Sequence, residues 1–405
     1  MTRGFYIILA AQFFSALADN ALLFAAIALL KELSAPAWHT PLLQEFFVIS
    51  YILLAPFVGP FADSMPKGRV MFISNGVKLM GCLAMLLGMP PLYAYAIVGL
   101  GAAAYSPAKY GILTEFLPVA QLVKANSWME GATVAAIVLG AIVGGLLISP
   151  KHIGIMLSDY GLIQWLSVPQ FAILNIILLY VLAAVFNLFI PTLPLDHKVP
   201  KKNPLFLLYD FWHSFKLLWK DPLGQVSLAV TTLFWGVGAT LRLVVLAWAA
   251  FNLNFDLAHA TQLTAMVAVG IAVGAAVAGK WVRLEQSVKV LPSGIVLGLT
   301  VISMILVTDW RLALVLMFII GALSGYFVVP LNALLQHRGH LLMGAGHSIA
   351  IQNFNENIGI LIMLGAYTFM VGHDVHIHWV IVSFGLFISL AMTLIWRRHR
   401  DDEVH

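Results

Sequence analysis

The sequence has few of the residues on which soluble enzymes depend. One cysteine occurs among its 405 residues, Cys82, and it lies within an apolar run, so a disulfide framework and a thiolate metal site are excluded. Charged residues make up 10% of the chain, against about a quarter in soluble domains. A glycine-rich phosphate loop, a nucleophile elbow and a metalloprotease helix are all missing. We therefore expect no cofactor, no metal and no enzymatic activity.

The chain is instead rich in apolar residues. Hydrophobic residues account for 61% of the chain, and its mean hydropathy is +0.93. They form runs of about 20 residues, the length that a helix needs to cross the hydrocarbon core of a bilayer, without the shorter alternating pattern of barrel strands. The sequence predicts an all-α integral membrane protein with about twelve transmembrane helices.

The basic residues are distributed unevenly between the predicted loops. If the N-terminus is cytoplasmic, sixteen of the 22 lysines and arginines fall on the cytoplasmic side and three on the other. Basic loops stay in the cytoplasm, so we expect both termini there. The net charge of +4 thus reflects membrane topology, and no nucleic-acid partner is expected.

A polar interval divides the apolar runs into two halves. It spans residues 191–225 and contains LFLLYDFWHSFKLLWKD, which is typical of an amphipathic helix at the membrane interface. We predict a six-helix bundle at 1–190, a cytoplasmic connector at 191–225 and a second six-helix bundle at 226–405. Both halves place a proline inside a late helix, Pro107 and Pro330. This pattern favours a parallel repeat with a central site.

Four ionisable residues interrupt apolar runs at membrane depth. They are two acids and two bases: Asp19, Lys109, Arg242 and Glu356. Each charge costs roughly 2.5–3.5 kcal/mol at the bilayer centre, so it is normally kept only where it faces a partner or a water-filled cavity. Since the four charges cancel, they suit a zwitterionic or amphipathic solute.

Polar residues accompany these charges at helical spacing. The predicted binding or gating set also includes Asn20, Tyr105, Gln352 and Asn353. Three interpretations remain open for the charges: substrate binding combined with gating, gating alone, and structural burial. Two further intramembrane residues are Lys78 and Glu130. For each of them a structural role and a functional role both remain open. Lys78 could extend to the cytoplasmic interface, and Glu130 could pair with Lys109 or Lys124.

A turn between the second and third apolar runs carries a motif. Gly59 is followed four residues later by Asp63 and then by Lys67-Gly68-Arg69. The pattern resembles the cytoplasmic motif of the major facilitator superfamily, with a slightly longer turn. We predict a cytoplasmic gate at Asp63, Lys67 and Arg69. Asp63 could meet the positive N-terminal end of the eleventh span, near Gly344 to His347.

Several stretches carry a closer resemblance. ALADNALLF, YILLAPFVGPFADS, GAAAYSPAKYGIL, VKANSWME, TLRLVVL, YFVVPLNALLQHRG and AIQNFNEN together resemble the bacterial lysophospholipid transporter family of that superfamily. The chain departs from the family at His347, where asparagine is usual, and at Asn355, where glycine is usual.

The resemblance implies a function. A member of this family is a flippase of the cell inner membrane that returns lysophosphatidylethanolamine and lysophosphatidylglycerol from the outer to the inner leaflet. There an acyltransferase and acyl-carrier-protein synthetase partner reacylates them. Lys109 and Arg242 would hold the lipid phosphate, while Asp19 and Glu356 would hold an ethanolamine ammonium or pair with the bases. We expect a monomer that works by alternating access with lateral lipid entry.

Two rival functions remain open. A proton-coupled exporter of amphipathic drugs would share the fold and could use Asp19 or Glu356 as its titrating group. An intramembrane acyltransferase is the rival from another class, but the sequence lacks the histidine–acid pair typical of that chemistry. Leaflet-resolved lysolipid uptake with and without a protonophore separates the transporters.

Overall fold

The protein is helical in all the parts that the computed structural model describes. These parts are residues 2–36, 39–161, 165–193, 203–255 and 257–399. They contain fourteen α-helices and no strand. In chain order the helices are α1 Arg3–Glu32, α2 His39–Asp63, α3 Lys67–Leu86, α4 Pro91–Phe116, α5 Leu122–Leu147, α6 Ile155–Asp159, α7 Val168–Leu188, α8 Pro204–Lys220, α9 Pro222–Asn252, α10 Leu257–Trp281, α11 Pro292–Ser303, α12 Trp310–Leu342, α13 Ala345–Gly372 and α14 Ile377–His399.

Most of these helices are long enough and apolar enough to cross a membrane. Within the described residues eleven segments meet both conditions, which confirms the predicted all-α membrane fold with about one span fewer than expected. The missing span is α4, which is 26 residues long but less apolar, because tyrosines, prolines, glycines and Lys109 interrupt it. Its length still suffices to cross the hydrocarbon core.

Prolines lie inside three of the long helices. Pro107 is within α4 and Pro330 is within α12, as the comparison of the two halves predicted. Pro56 and Pro60 both lie within α2. A proline removes one backbone hydrogen bond and crowds the preceding turn, so each of these helices bends or loosens there.

The chain divides into two compact units. Unit 1 comprises residues 1–116, 135–211 and 344–350, and unit 2 comprises 117–134, 212–343 and 351–405. The predicted boundaries at 190/191 and 225/226 remain a prediction. Helix α8 lies within the predicted connector, whereas Lys198, Lys201 and Lys202 of that connector fall outside the described residues.

In unit 1 the first helix is central. Helix α1 packs against α7, α3 packs against α4 and α7, and α2 packs against α4. The core cluster is built mostly from small and branched residues of α1 and α7, such as Ala18, Leu22 and Ile176, all fully buried. Tyr180 of α7 also belongs to this cluster, and it is fully buried.

In unit 2 glycines bring two helices into close contact. Helix α10 packs against α12, while α9 and α11 each pack against α12 and α14. A side chain at Gly270 would collide with the backbone of Phe318, and one at Gly274 would collide with the backbone of Ala322. The glycine spacing therefore permits close packing of α10 and α12.

Candidate functional site

Asp19 forms the centre of a polar cluster inside unit 1. Its carboxylate accepts from the Nζ of Lys78 on α3 at 2.8 Å and from the hydroxyl of Tyr180 on α7 at 2.6 Å. Lys78 also donates to the hydroxyl of Ser15 on α1 at 3.0 Å. Ser15 lies one turn before Asp19, so both side chains share one face of α1. Three helices thus meet at a single carboxylate.

The two members of this ion pair differ in exposure. The Lys78 side chain is 1% exposed, whereas that of Asp19 is 21% exposed. The Lys78 ammonium also lies 4.7 Å from the centre of the Tyr105 ring. Lys78 therefore does not extend to the interface, contrary to one alternative that the sequence allowed. Lys78 neutralises the charge of Asp19 from the buried side, while part of the Asp19 side chain stays exposed.

The other polar residues predicted near Asp19 have different neighbours. Tyr105 is buried, and its ring faces the ammonium of Lys78. The Lys109 ammonium lies 4.2 Å from the centre of the Tyr110 ring. Asn20 donates to the backbone carbonyl of Ala16 at 2.8 Å, so its amide is held on α1.

The predicted gate residue Asp63 caps the start of α13. One carboxylate oxygen accepts from the backbone N–H of Gly346 at 2.9 Å, and the other accepts from that of His347 at 3.1 Å. The His347 ring also contacts Asp63 at 2.7 Å and Asp210 of α8 at 3.2 Å. A carboxylate at a helix N-terminus is stabilised by the helix dipole, and the contact is the one the motif predicted.

The two basic residues of the motif differ in their surroundings. Lys67 is 4% exposed and its Nζ contacts Asp63 at 2.7 Å and Glu115 at 3.1 Å. Arg69 is exposed and forms no ion pair within the described residues. Gly346 is required beside Asp63, because a Cβ there would lie 2.6 Å from its Oδ1.

Glu356 belongs to a hydrogen-bonded network inside unit 2. The Gln352 amide donates to Glu356 at 2.7 Å and to the side-chain carbonyl of Asn332 on α12 at 2.8 Å. Asn332 in turn contacts Glu130 of α5 at 3.5 Å. Two acids are thus linked through two amides, and all four residues are less than 10% exposed. The predicted Asn353 is also buried, at 8% exposure.

A second amide pair lies beside this network. Asn126 and Gln336 exchange two hydrogen bonds, at 2.9 and 2.8 Å, and both are almost fully buried. Sequence reasoning missed this pair and Asn332. The available signal was spacing, since Asn126 and Glu130, Asn332 and Gln336, and Gln352 and Glu356 each stand one helical turn apart. Spacing alone does not identify the partner helix.

Arg242 has an unusual environment for a charged residue. It lies in the middle of α9, and its side chain is exposed. Among the described residues it forms no ion pair. An arginine at this depth is costly against lipid, so we expect it to face water or a polar ligand. Asp19 and Glu356, in contrast, accept hydrogen bonds from neighbouring donors.

Comparisons with known proteins agree with this architecture. Residues 8–364 match the sequence profile of the Major Facilitator Superfamily. The chain is 46% identical over 372 residues to the lysophospholipid transporter LplT of Yersinia enterocolitica, covering 92% of this chain and 88% of that protein. It is also 46% identical to LplT of Yersinia pestis, covering 92% and 87%.

Solved structures share the fold at low identity. One is the transporter FucP in its outward conformation, with a TM-score of 0.78, 12% identity and coverage of 100% of this chain and 99% of FucP. Another is a bacterial homologue of the iron transporter ferroportin in an outward-facing state. It has a TM-score of 0.70, 16% identity and coverage of 98% and 100%. At these identities the likeness extends to the fold alone.

Proposed function

The chain belongs to the major facilitator superfamily and, within it, to the family of lysophospholipid transporters, and on that premise we propose that it moves lysophospholipids across the bacterial inner membrane. The proposed direction is from the outer to the inner leaflet. The observation that carries the proposal is the 46% identity over 92% of the chain to transporters named for this substrate. We further propose that both headgroups, phosphoethanolamine and phosphoglycerol, are accepted.

The charged residues divide the recognition of the headgroup between them. Lys109 and Arg242 are donors only, and they bind the phosphate that all lysophospholipids share. Asp19 and Glu356 are acceptors that bind the ammonium of ethanolamine. The exposure of Arg242 and the open side of Asp19 support these roles.

The polar neighbours hold the binding groups in place. Asn20 and Tyr105 flank the Asp19 cluster, while Gln352 and Asn353 flank Glu356. Gln352 donates to Glu356 at 2.7 Å, which orients the carboxylate. Groups that are already oriented lose less entropy when they bind a headgroup.

Asp63 acts as the latch of the cytoplasmic gate. Its bonds to the first backbone N–H groups of α13 support this role, and Lys67 balances its charge. Alternating access requires these contacts to break and re-form in each cycle. Arg69, which is exposed, contributes less to this latch.

Lateral entry suits a substrate with one acyl chain. The headgroup would bind to the charged and polar residues named above, and the chain would remain against apolar helix surfaces. The transported lysolipid would then be reacylated by an acyltransferase and acyl-carrier-protein synthetase in the cytoplasm. We propose that the protein works as a monomer with both termini in the cytoplasm.

Leaflet-resolved uptake tests this proposal against its rival. Spheroplasts that lack their own lysophospholipid transporter and express this chain receive fluorescent lysophosphatidylethanolamine, with and without a protonophore. We expect the lipid to reach the inner leaflet and to be converted to diacyl lipid in both conditions. A proton-coupled exporter of amphipathic drugs would instead expel a dye such as ethidium, and only while the proton gradient persists. That result, without lysolipid uptake, would overturn the proposal.

A further inference from the structure

A cavity lies at one end of unit 2, and no residue of the charged network around Glu356 lines it. Its volume is about 480 Å³, and it is formed by the end of α8, the start of α9 and the end of α14. The lining residues are Trp219, Lys220, Pro222, Gln225, Arg398 and His399. None of the residues assigned to transport above lines it.

The lining is rich in groups that only donate hydrogen bonds. Lys220 and Arg398 are exposed cations that come from different helices. Lysine and arginine side chains offer no acceptor atoms. A ligand that satisfies both cations must therefore bring acceptor oxygens of its own.

Among the described residues no acid lines the cavity. The acid next to Lys220 in the sequence is Asp221. Its carboxylate caps α9 through the backbone N–H of Gly224 at 2.8 Å and accepts from Arg338. Asp221 is therefore occupied elsewhere. A phosphate group matches the charge of Lys220 and Arg398.

An apolar stripe leads away from the cavity along α14. Leu390, Leu394 and Arg398 are spaced four residues apart and share one face of the helix. Leu390 is 62% exposed and Leu394 is 68% exposed. Because α14 is apolar enough to span the membrane, this face contacts lipid chains. The stripe thus joins a phosphate-binding end to a surface suited to an acyl chain.

We propose that this cavity binds the headgroup of an anionic bilayer phospholipid, with the phosphate between Lys220 and Arg398 and an acyl chain along Leu394 and Leu390. None of the described lining residues carries a carboxylate that could receive an ammonium, so anionic headgroups bind in preference to zwitterionic ones. This lipid is a ligand of the protein in its own right, separate from the proposed transport substrate.

Thermal unfolding of the delipidated protein in detergent tests the proposal. The protein is titrated with dioctanoylphosphatidylglycerol, with dioctanoylphosphatidylcholine and with inorganic phosphate. We expect phosphatidylglycerol to raise the melting temperature in a saturable way, with the other two much less effective. An equal effect of phosphatidylcholine would overturn the headgroup assignment. A full effect of inorganic phosphate would show a site for soluble anions instead of a lipid.

Neighbouring residues provide a matched control. K220Q and R398Q should each raise the half-saturating lipid concentration roughly tenfold, which is the loss of one charge-assisted hydrogen bond. R397Q changes the adjacent exposed arginine, which does not line the cavity, and should leave binding unchanged. All three positions are exposed, so these variants should fold. Equal binding by R398Q and R397Q would contradict the assignment, and native mass spectrometry would count the bound lipids independently.

Discussion

Lys78 of α3 and Asp19 of α1 form an ion pair in which the base is buried and the acid retains an open side. Their Nζ and Oδ2 atoms are 2.8 Å apart, and their side chains are 1% and 21% exposed. Lys78 compensates the charge of Asp19 without blocking it. We therefore regard Lys78 as a positioning residue for a carboxylate that meets the substrate.

Replacing Lys78 by methionine should cost both stability and transport. The change leaves Asp19 without its cation, and breaking a buried pair costs about 3–5 kcal/mol, here at the lower end because Asp19 is partly exposed. The double variant K78M/D19N should regain most of this stability but not the transport. Thermal unfolding and lysolipid uptake measured on the same samples check both parts. A K78M protein with wild-type stability and uptake would remove the proposed role.

Replacing either acid by its amide should change headgroup selectivity. In E356Q the hydrogen bond from Gln352 can persist, so the fold is kept while the negative charge is lost. Uptake of lysophosphatidylethanolamine should fall more than that of lysophosphatidylglycerol, since only the former carries an ammonium. D19N should show the same bias. Uptake of the two lipids measured in parallel decides this, and equal losses would point to gating alone.

Replacing either base should affect both substrates. K109A and R242A each remove a proposed partner of the phosphate, so uptake of both lysolipids should fall by roughly tenfold or more, as expected for a charge-assisted hydrogen bond. The ratio between the two lipids should change less than in the acid variants. The control is R283Q, which alters an exposed arginine paired with Glu285. A large loss for one headgroup only would contradict the shared phosphate role.

Two residues of the motif around Asp63 should differ in how much transport falls when they are replaced. D63N loses the charge that binds the N-terminus of α13 and leaves the buried Lys67 less well compensated, so transport should fall roughly tenfold. R69Q alters an exposed side chain without an ion pair in the described structure and should retain more than half of the activity. Uptake normalised to membrane expression checks both variants. Similar losses in the two would show that the motif acts through its overall charge.

The helices and the contact of Asp63 with α13 were both predicted from the sequence. Long apolar runs require helices in a bilayer, and only α4, with its tyrosines and glycines, fell below the hydropathy of a span. The contact of Asp63 with α13 was predictable because an acid at a helix end has one strongly favoured kind of partner. The partner of Asp19 was not, because several bases lie at similar depth and the sequence does not say which helices touch.

The amide network shows the same limit. Asn332 and Gln336 are visible as polar residues one turn apart, but such pairs also occur on solvated faces. Their hydrogen-bond partners lie on α5 and α13, far away in the sequence. A polar pattern within one helix therefore predicts a site only when the facing helix is known.

The central claim is that this chain moves lysophospholipids with the help of Asp19 and Glu356. Purified protein in liposomes, supplied with lysophosphatidylethanolamine labelled on its acyl chain, tests it most directly. Dithionite bleaches the label in the outer leaflet, so protected fluorescence measures arrival in the inner leaflet. We expect rapid protection with the wild-type protein, none beyond protein-free liposomes with D19N/E356Q, and none with the diacyl lipid. Protection by the wild-type protein no faster than in protein-free liposomes, or undiminished by the double variant, would contradict the account.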